Sequence, residues 1–241
     1  MRPGPALREI FERLSAAWSP MHWWPGDGPG DVIIGAVLTQ NTSWSNVEKA
    51  LANLEGRGLR DMRRLARARR DTLARLLHPV GYYNIKADRL RSVARHFVER
   101  WDCDWERLRR APTAPLREEL LAVHGIGPET ADSILLYAFG HPVFVVDAYT
   151  KRILSRHGLI GERASYDEVQ RLFERHLERD QALFNECHAL LVRAGNRLCR
   201  RTPKCSECPL GERRLFTREA FERLRQQGHI SSYPHGTNAS A

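Results

Sequence analysis

The sequence predicts an all-α protein, and three observations support that prediction. Apolar residues recur at helical spacing along most of the 241 residues, as Leu7, Ile10, Phe11 and Leu14 do in the first segment. Stretches that alternate at period two are few, and the best of them, HPVFVV at 141–146, leads directly into a helix. Glycine and proline gather in short connections, which is typical of packed helices.

The periodic segments predict two helical lobes. We expect helices at about 6–18, 31–40, 45–54, 61–67, 71–78, 84–100, 115–122, 129–138, 147–156, 166–177 and 181–195. A central bundle is predicted at 23–139. The second lobe combines 1–22 with 140–225 and carries a cysteine loop at 199–208. The polar tail at 226–241 is predicted to be disordered, because it has little to bury.

The charge of the chain favours a polyanionic partner, most simply nucleic acid. Lys+Arg number 38 against 29 Asp+Glu, for a formal net charge of +9 at pH 7. Because 34 of the basic residues are arginine and only 4 are lysine, genome base composition explains part of this excess equally well. No apolar run approaches the ~18 residues of a membrane span, and the charged N-terminus is unlike a secretory signal. We therefore expect a cytoplasmic protein in a reducing compartment, without a membrane partner.

A glycine-rich turn between two helices is the first candidate binding site. The segment at 120–138, LLAVHGIGPETADSILLYA, places two glycines two residues apart and a proline at the start of the second helix. Backbone N–H groups at such a turn can bind DNA phosphates without reading sequence. The residues expected at this contact are Val123, Gly125, Gly127 and Thr130. The alternative is an ordinary helical hairpin with a tight turn.

A single acid follows the hairpin. Asp147 ends the apolar run FGHPVFVV and begins the next helix, where a carboxylate is a good N-cap. Capping alone is one interpretation of this residue. The order of hairpin, apolar run and aspartate suggests a second one.

These features together resemble the endonuclease III-like DNA glycosylases of the helix-hairpin-helix superfamily. Three further segments carry the resemblance: GAVLTQNTSWSNVEKAL at 35–51, VGYYNIKADRL at 80–90 and ECHALLVRAGNRLCRRTPKCSECPL at 186–210. The match runs in collinear order over about 6–215. It implies a two-lobed glycosylase fold and a monomeric enzyme, with double-stranded DNA carrying a flipped damaged base as the partner.

The resemblance assigns roles to Asp147 and to two loop residues. A base must leave the duplex before its glycosidic bond can be attacked. A carboxylate beneath the sugar stabilises the oxocarbenium-like state and orients or deprotonates water, and Asp147 is the candidate for this role. Gln40 is expected to fill the gap left by the base, and Tyr82 to wedge the opposite strand. A buried aromatic is the alternative for Tyr82.

The hairpin lacks the lysine that endonuclease III carries at the start of its second helix. That lysine forms a Schiff base with the sugar. The matching position here is Glu129, which cannot form an imine, so the resemblance implies a monofunctional glycosylase that uses water. Lys151 is the nearest other amine and is expected to face solvent or to pair with Asp147. Glu129 either lines the base pocket or stabilises the helix N-terminus.

Tryptophans mark a candidate base pocket. Trp23, Trp24 and Pro25 form a WWP segment, and Trp44 follows the QNTS loop. Plugging a gap in the core is the alternative for these rings. The 3-methyladenine DNA glycosylases of endonuclease III type resemble this chain in the WWP segment, in the aromatic after QNT and in Glu129. Electron-rich rings prefer an alkylated purine, which is positively charged, over neutral adenine.

Three clustered cysteines predict a metal site. Cys199, Cys205 and Cys208 follow the spacing C-x5-C-x2-C, and a total of five cysteines does not suit a disulfide framework. Endonuclease III uses four thiolates in the similar loop, but the fourth position is Arg214 here, and Cys187 is interpreted as a core residue. A [4Fe-4S] cluster with an unusual or missing fourth ligand is favoured, and zinc or no metal are the alternatives.

The sequence therefore predicts a base-excision DNA glycosylase that releases alkylated purines by hydrolysis. A cleft between the lobes is expected to hold Asp147, Glu129 and the tryptophans. One alternative is an endonuclease III-type enzyme with lyase activity on oxidised pyrimidines. The other is a DNA-binding iron–sulfur module without catalysis.

Overall fold

A computed structural model describes residues 3–24 and 26–211, and this part of the chain contains helices and no strand. The α-helices are α1 Pro3–Trp18, α2 Pro29–Leu38, α3 Trp44–Glu55, α4 Met62–Arg67, α5 Arg70–Leu76, α6 Tyr83–Trp101, α7 Trp105–Arg110, α8 Thr113–Leu121, α9 Pro128–Ser133, α10 Ala148–Arg156, α11 Tyr166–His176 and α12 Gln181–Arg197. Short 3-10 turns lie at His78–Val80 and Cys205–Glu207, and a π-helical turn at Ile134–Ala138. The all-α prediction is confirmed. Pro25, Arg214 and the tail at 226–241 lie outside the described residues.

Two elements differ from the expectations. The structure adds α7, whose six residues are too few to show a 3.6-residue period. The helix expected at 129–138 is α-helical only as far as Ser133, after which the π-helical turn follows. Such turns are common at functional sites.

Side-chain caps explain where several helices begin. The carboxylates of Asp61, Asp104 and Asp180 each accept a hydrogen bond from a backbone N–H three residues further on, at the starts of α4, α7 and α12. Ser165 and Glu168 form a reciprocal capping box at α11. A cap of this kind contributes about 1 kcal/mol, so these helices begin where the sequence supplies one.

The described residues form two compact units. The central unit runs from Trp24 to His141, and the terminal unit combines 3–23 with 142–211. In the central unit α2 is buried along nearly its whole length and packs against α6 and the π-helical turn. In the terminal unit α12 packs on α1 and α10. No helix in the described part of the chain is long and apolar enough to cross a bilayer.

Candidate active site

The hairpin turn, residues 122–127, joins α8 to α9 in the central unit. Ile126 is 7 % exposed, and its N–H donates to the carbonyl of Val123 at 3.1 Å, so the turn is fixed to the core. Gly125 has a φ of +96°, and a Cβ there would lie 2.4 Å from Cγ of Arg89. Only glycine therefore fits this position.

An ion pair between a buried aspartate and a half-buried arginine joins the two helices of the hairpin. Asp132 is fully buried, and its two oxygens accept from Nε and Nη2 of Arg117 at 2.6 and 3.0 Å. Bidentate pairs of this kind fix geometry as well as charge. The hairpin is therefore held rigidly before any ligand arrives.

The second glycine of the turn leaves space on its outer side. Gly127 has an ordinary extended backbone, and a Cβ there would meet nothing within 4 Å. Val123 is half-buried, whereas Gly127, Pro128 and Glu129 are exposed. Thr130 differs, because its side chain is buried. Any DNA contact at Thr130 would therefore use its backbone.

Gln40 and Tyr82 lie in two loops of the central unit. Nε2 of Gln40 donates to the carbonyl of Gly125 at 3.1 Å and to Oγ1 of Thr130 at 3.0 Å, and its Oε1 accepts from Arg89. Filling a gap in DNA would break these bonds, and that role stays a prediction. Tyr82 is 72 % exposed with a left-handed φ of +44°, so the alternative of a buried aromatic is wrong.

Three half-buried rings form an aromatic cluster in the central unit. Trp24 meets Trp44 edge to face at 5.4 Å between ring centroids and lies tilted over Tyr137 at 5.0 Å. The indole N–H of Trp44 donates to Glu48 at 3.1 Å. Trp23, also half-buried, belongs to the terminal unit. The structure therefore brings together Trp24 and Trp44 from the predicted set.

Sequence reasoning missed Tyr137. It lies in the π-helical turn, where the change of helical period alters which side chains share a face. A helical wheel drawn with the regular α-helical period therefore does not predict that Tyr137 lies beside Trp24. Its aromatic type within an otherwise aliphatic segment, ILLYA, is the sequence signal that was available.

Asp147 begins α10 in the terminal unit and caps it. Its Oδ1 accepts from the N–H of Thr150 at 2.7 Å, and the side chain is 11 % exposed. Its Oδ2 lies 3.9 Å from Nε2 of His188, beyond hydrogen-bonding distance. Burial lowers the pKa of His188, and the Asp147 carboxylate opposes that shift only in part. The imidazole is therefore neutral at pH 7, and the carboxylate is oriented by its backbone contact.

Lys151 is placed differently from either expectation. Its Nζ donates to the carbonyl of Ala164 at 3.0 Å. Because the amine sits in an intrachain hydrogen bond, the side chain does not simply extend into solvent. The described contacts include no ion pair between Lys151 and Asp147.

Cys199, Cys205 and Cys208 line one cavity of the terminal unit, together with Arg156 and His157. Nη1 of Arg156 donates to Sγ of Cys199 at 3.2 Å. The cavity supplies three thiols where a typical [4Fe-4S] cluster has four. Over residues 3–24 and 26–211, no group of three or more His, Cys, Asp or Glu side chains is placed to hold a metal ion. The residues therefore do not fit a four-thiolate cluster, and a cluster with three thiolates stays a prediction.

Comparisons with known proteins agree on one family. The family model of the HhH-GPD superfamily base excision DNA repair protein matches residues 34–179. A Methanocaldococcus jannaschii protein named as a candidate DNA repair glycosylase, MJ1434, is 43 % identical over 207 residues, which are 86 % of this chain and 94 % of that protein. Endonuclease III of Thermotoga maritima is 32 % identical over 181 residues, or 75 % and 79 % of the two chains.

A solved structure adds a geometric comparison. The 3-methyladenine DNA glycosylase MagIII of H. pylori, bound to 1,N6-ethenoadenine, superposes with a TM-score of 0.71 at 28 % identity, covering 82 % of this chain and 98 % of that one. The matched family segment spans more than half of the chain and includes the hairpin and Asp147. The chain therefore belongs to the HhH-GPD superfamily of base excision DNA repair proteins and is an endonuclease III-like DNA glycosylase.

Proposed function

We propose that the protein is a monofunctional glycosylase that releases alkylated purines from duplex DNA. The aromatic cluster of Trp24, Trp44 and Tyr137 is the observation that carries this proposal. A purine alkylated at N3 or N7 is cationic, and electron-rich rings attract a cation by about 0.5–2 kcal/mol. The cluster therefore favours an alkylated base over a neutral one, and the likeness to MagIII supports the same substrate class.

Asp147 supplies the carboxylate for hydrolysis in this proposal. Departure of the base leaves positive charge on the sugar, which a carboxylate stabilises while it orients or deprotonates the attacking water. Asp147 suits the role because its Oδ1 is fixed by the N–H of Thr150 and its side chain is mostly removed from solvent. Because alkylation already improves the base as a leaving group, the enzyme needs little acid catalysis.

Glu129 and Lys151 support a reaction without strand cleavage. Glu129 lies exposed in the first turn of α9, where endonuclease III has its Schiff-base lysine, and a carboxylate cannot form an imine. The amine of Lys151 is bound to the carbonyl of Ala164. We propose that water is the nucleophile and that lyase activity is absent.

The hairpin turn is the proposed contact with the DNA backbone. The open space beside Gly127 permits close approach of a phosphate to backbone N–H groups. Tyr82, exposed and held in a left-handed conformation, is the proposed wedge that helps a base leave the stack. We propose that a monomer binds the duplex with the damaged base flipped out.

Base release from paired substrates tests the substrate class. Duplexes that contain 3-methyladenine or thymine glycol are incubated side by side, and the free base is quantified. We expect release of 3-methyladenine. Release of the thymine glycol base alone would instead support the endonuclease III-type alternative. The similarity to the Thermotoga endonuclease III is the reason for testing that alternative.

Asp147→Asn separates chemistry from capping. Asparagine is as good an N-cap as aspartate, so the helix and the fold should persist. We expect the rate of base release to fall by at least about 100-fold. Asp180→Asn, the same change at the cap of α12, is the matched control and should leave the rate unchanged. Equal, measurable rates for Asp147→Asn and wild type would remove Asp147 from the reaction, whereas no base release from either protein would favour the non-catalytic alternative.

Borohydride trapping tests the absence of a lyase step. The wild type should give no covalent adduct with a damaged duplex, whereas Glu129→Lys, which restores an amine at the first turn of α9, is the positive control. A wild-type adduct would contradict the monofunctional assignment.

One conservative and one disruptive change at Tyr137 test the aromatic cluster. Tyr137→Phe keeps the ring and should retain activity within about twofold, whereas Tyr137→Leu should raise KM for the alkylated base by about tenfold, by loss of the ring contact. Equal KM values for the two variants would mean that the ring of Tyr137 does not contact the bound base.

A further inference from the structure

Lys86 is a buried cation in the first turn of α6. It is 2 % exposed, and its Nζ donates to the carbonyl of Leu38 at 3.0 Å and to that of Val80 at 2.8 Å. Both of these acceptors are neutral carbonyls. Burying an ammonium in this way is costly, and the pKa of Lys86 falls to about 8 because of the burial and the nearby charge of Arg89. An apolar side chain would fill the same space at lower cost, so packing alone does not explain a lysine here.

The two carbonyls belong to the residues that immediately precede two loops. Leu38 is the last residue of α2, and the loop at 39–43 that follows carries Gln40. Val80 is the last residue of its 3-10 turn, and Gly81 and Tyr82 follow with positive φ values of 65° and 44°. Lys86 therefore ties together the starting points of the Gln40 loop and the Tyr82 loop.

Arg89, one turn further along α6, extends this connection to the hairpin turn. Its guanidinium donates to Oε1 of Gln40, and its side-chain stem lies in the space that a Cβ at Gly125 would occupy. Gln40 in turn donates to the carbonyl of Gly125. One face of α6 thus contacts the hairpin turn and the Tyr82 loop, which the proposed function places against DNA, and also the Gln40 loop, for which the sequence predicts a DNA contact.

We propose that Lys86 and Arg89 are positioning residues that hold the Gln40 loop, the Tyr82 loop and the hairpin turn as one preorganised DNA-binding surface. Extruding a base costs a few kcal/mol, and loops that are already in place leave less ordering cost to be met by binding. This inference rests on the proposed function only in that the enzyme binds DNA with a nucleotide extruded. It does not depend on which damaged base is released.

A double-mutant cycle tests Lys86. Binding is measured to a duplex that contains a tetrahydrofuran abasic-site analogue, with Lys86→Met, Tyr82→Ala and the double variant. We expect each single change to weaken binding by about tenfold. The double variant should bind only slightly more weakly than either single variant, because Lys86→Met misplaces the Tyr82 wedge that Tyr82→Ala removes. Losses that multiply to about 100-fold, or no loss for Lys86→Met, would overturn the proposal.

A control removes an exposed side chain-to-carbonyl bond elsewhere in the central unit. Nδ2 of Asn53 donates to the carbonyl of Leu76 at 2.9 Å, and neither residue adjoins the Gln40 loop or the Tyr82 loop. Asn53→Leu should leave binding to the abasic duplex unchanged. An equal loss for Asn53→Leu and Lys86→Met would mean that general destabilisation explains both, and would overturn the proposal.

Arg89→Lys keeps the inference testable if Lys86→Met does not fold. Lysine preserves the charge and the stem but not the planar guanidinium that binds Gln40. We expect about fivefold weaker binding to the abasic duplex with binding to undamaged duplex unchanged. Equal losses on both duplexes would indicate a simple phosphate contact and contradict a positioning role. Since none of these assays releases a base, their failure is distinct from failure to release 3-methyladenine.

Discussion

The sequence predicts a ligand for both the hairpin turn and the cysteine loop, which are DNA and a metal cluster respectively. The contacts that fix these two segments in the fold differ in burial. Buried groups hold the hairpin: Ile126, Thr130 and Asp132 are each less than a tenth exposed. The cysteine loop, residues 199–208, is held by its own backbone hydrogen bonds and by two half-exposed arginines of α10. Arg152 donates to the carbonyls of Cys199 and Gly195, and Arg156 to those of Arg200 and Arg201, over 2.6–3.2 Å.

This difference predicts a ranking of mutational effects. A buried polar group that loses its partner costs about 1–3 kcal/mol, whereas a half-exposed one can turn to water instead. Changes to buried contacts in the central unit, which contains the hairpin turn, should therefore lower the free energy of unfolding more than changes to the arginine contacts of the cysteine loop. The following predictions run from the largest expected effect on unfolding to the smallest.

Gly125→Ala should be the most damaging change. The new Cβ would lie 2.4 Å from Cγ of Arg89, and the backbone would keep a φ of +96° that alanine disfavours. We expect the free energy of unfolding to fall by about 2–4 kcal/mol, measured by urea denaturation. A loss below about 1 kcal/mol would mean that the turn relaxes easily, and the contrast with the cysteine loop would disappear.

Lys86 should make stability depend on pH. In the folded protein its ammonium loses a proton near pH 8, and in the unfolded chain near its ordinary value of 10.5. Between these values the unfolded state binds more protons, so the free energy of unfolding rises with pH. Wild type should gain about 1–3 kcal/mol relative to Lys86→Met between pH 7.5 and 10. Parallel pH profiles of thermal unfolding for the two proteins would contradict this.

Arg156→Met tests the cysteine loop. It removes half-exposed contacts to the loop, and we expect a loss of about 1–2 kcal/mol, or a Tm lower by about 3–6 °C. If the protein purifies without metal, the arginines hold the loop unaided, and chelation leaves the Tm of the wild type within about 2 °C. Co-purified iron and acid-labile sulfide, with a large fall in Tm on their removal, would instead establish the three-thiolate cluster.

Gly127→Ala should have the smallest effect on stability. A Cβ there meets nothing within 4 Å, so the cost is limited to a poorer N-cap, at most about 1 kcal/mol. Affinity for undamaged duplex at fixed salt should nevertheless fall by about fivefold, because the methyl group blocks approach of a phosphate. Unchanged affinity would show that DNA does not approach the turn from this side.

Local patterns predicted the features that depend on neighbouring residues. The helical periods, the glycine turn and the capping role of Asp147 are visible in short windows of sequence, and the structure shows each of them. Contacts between distant segments were not accessible in this way. The packing of Arg89 against Gly125, the ring of Tyr137 beside Trp24 and the bond from Lys151 to Ala164 depend on backbone geometry that no local window records.

The exposed position of Glu129 has an evolutionary consequence. A lysine there would meet an unfavourable helix dipole worth about 0.3–1 kcal/mol and no steric obstacle from burial. In the genetic code, glutamate and lysine codons differ by a single base. Folding stability therefore offers almost no barrier to exchanging glutamate for lysine at this position, and the hydrolytic chemistry proposed above depends on that one residue more than on the fold.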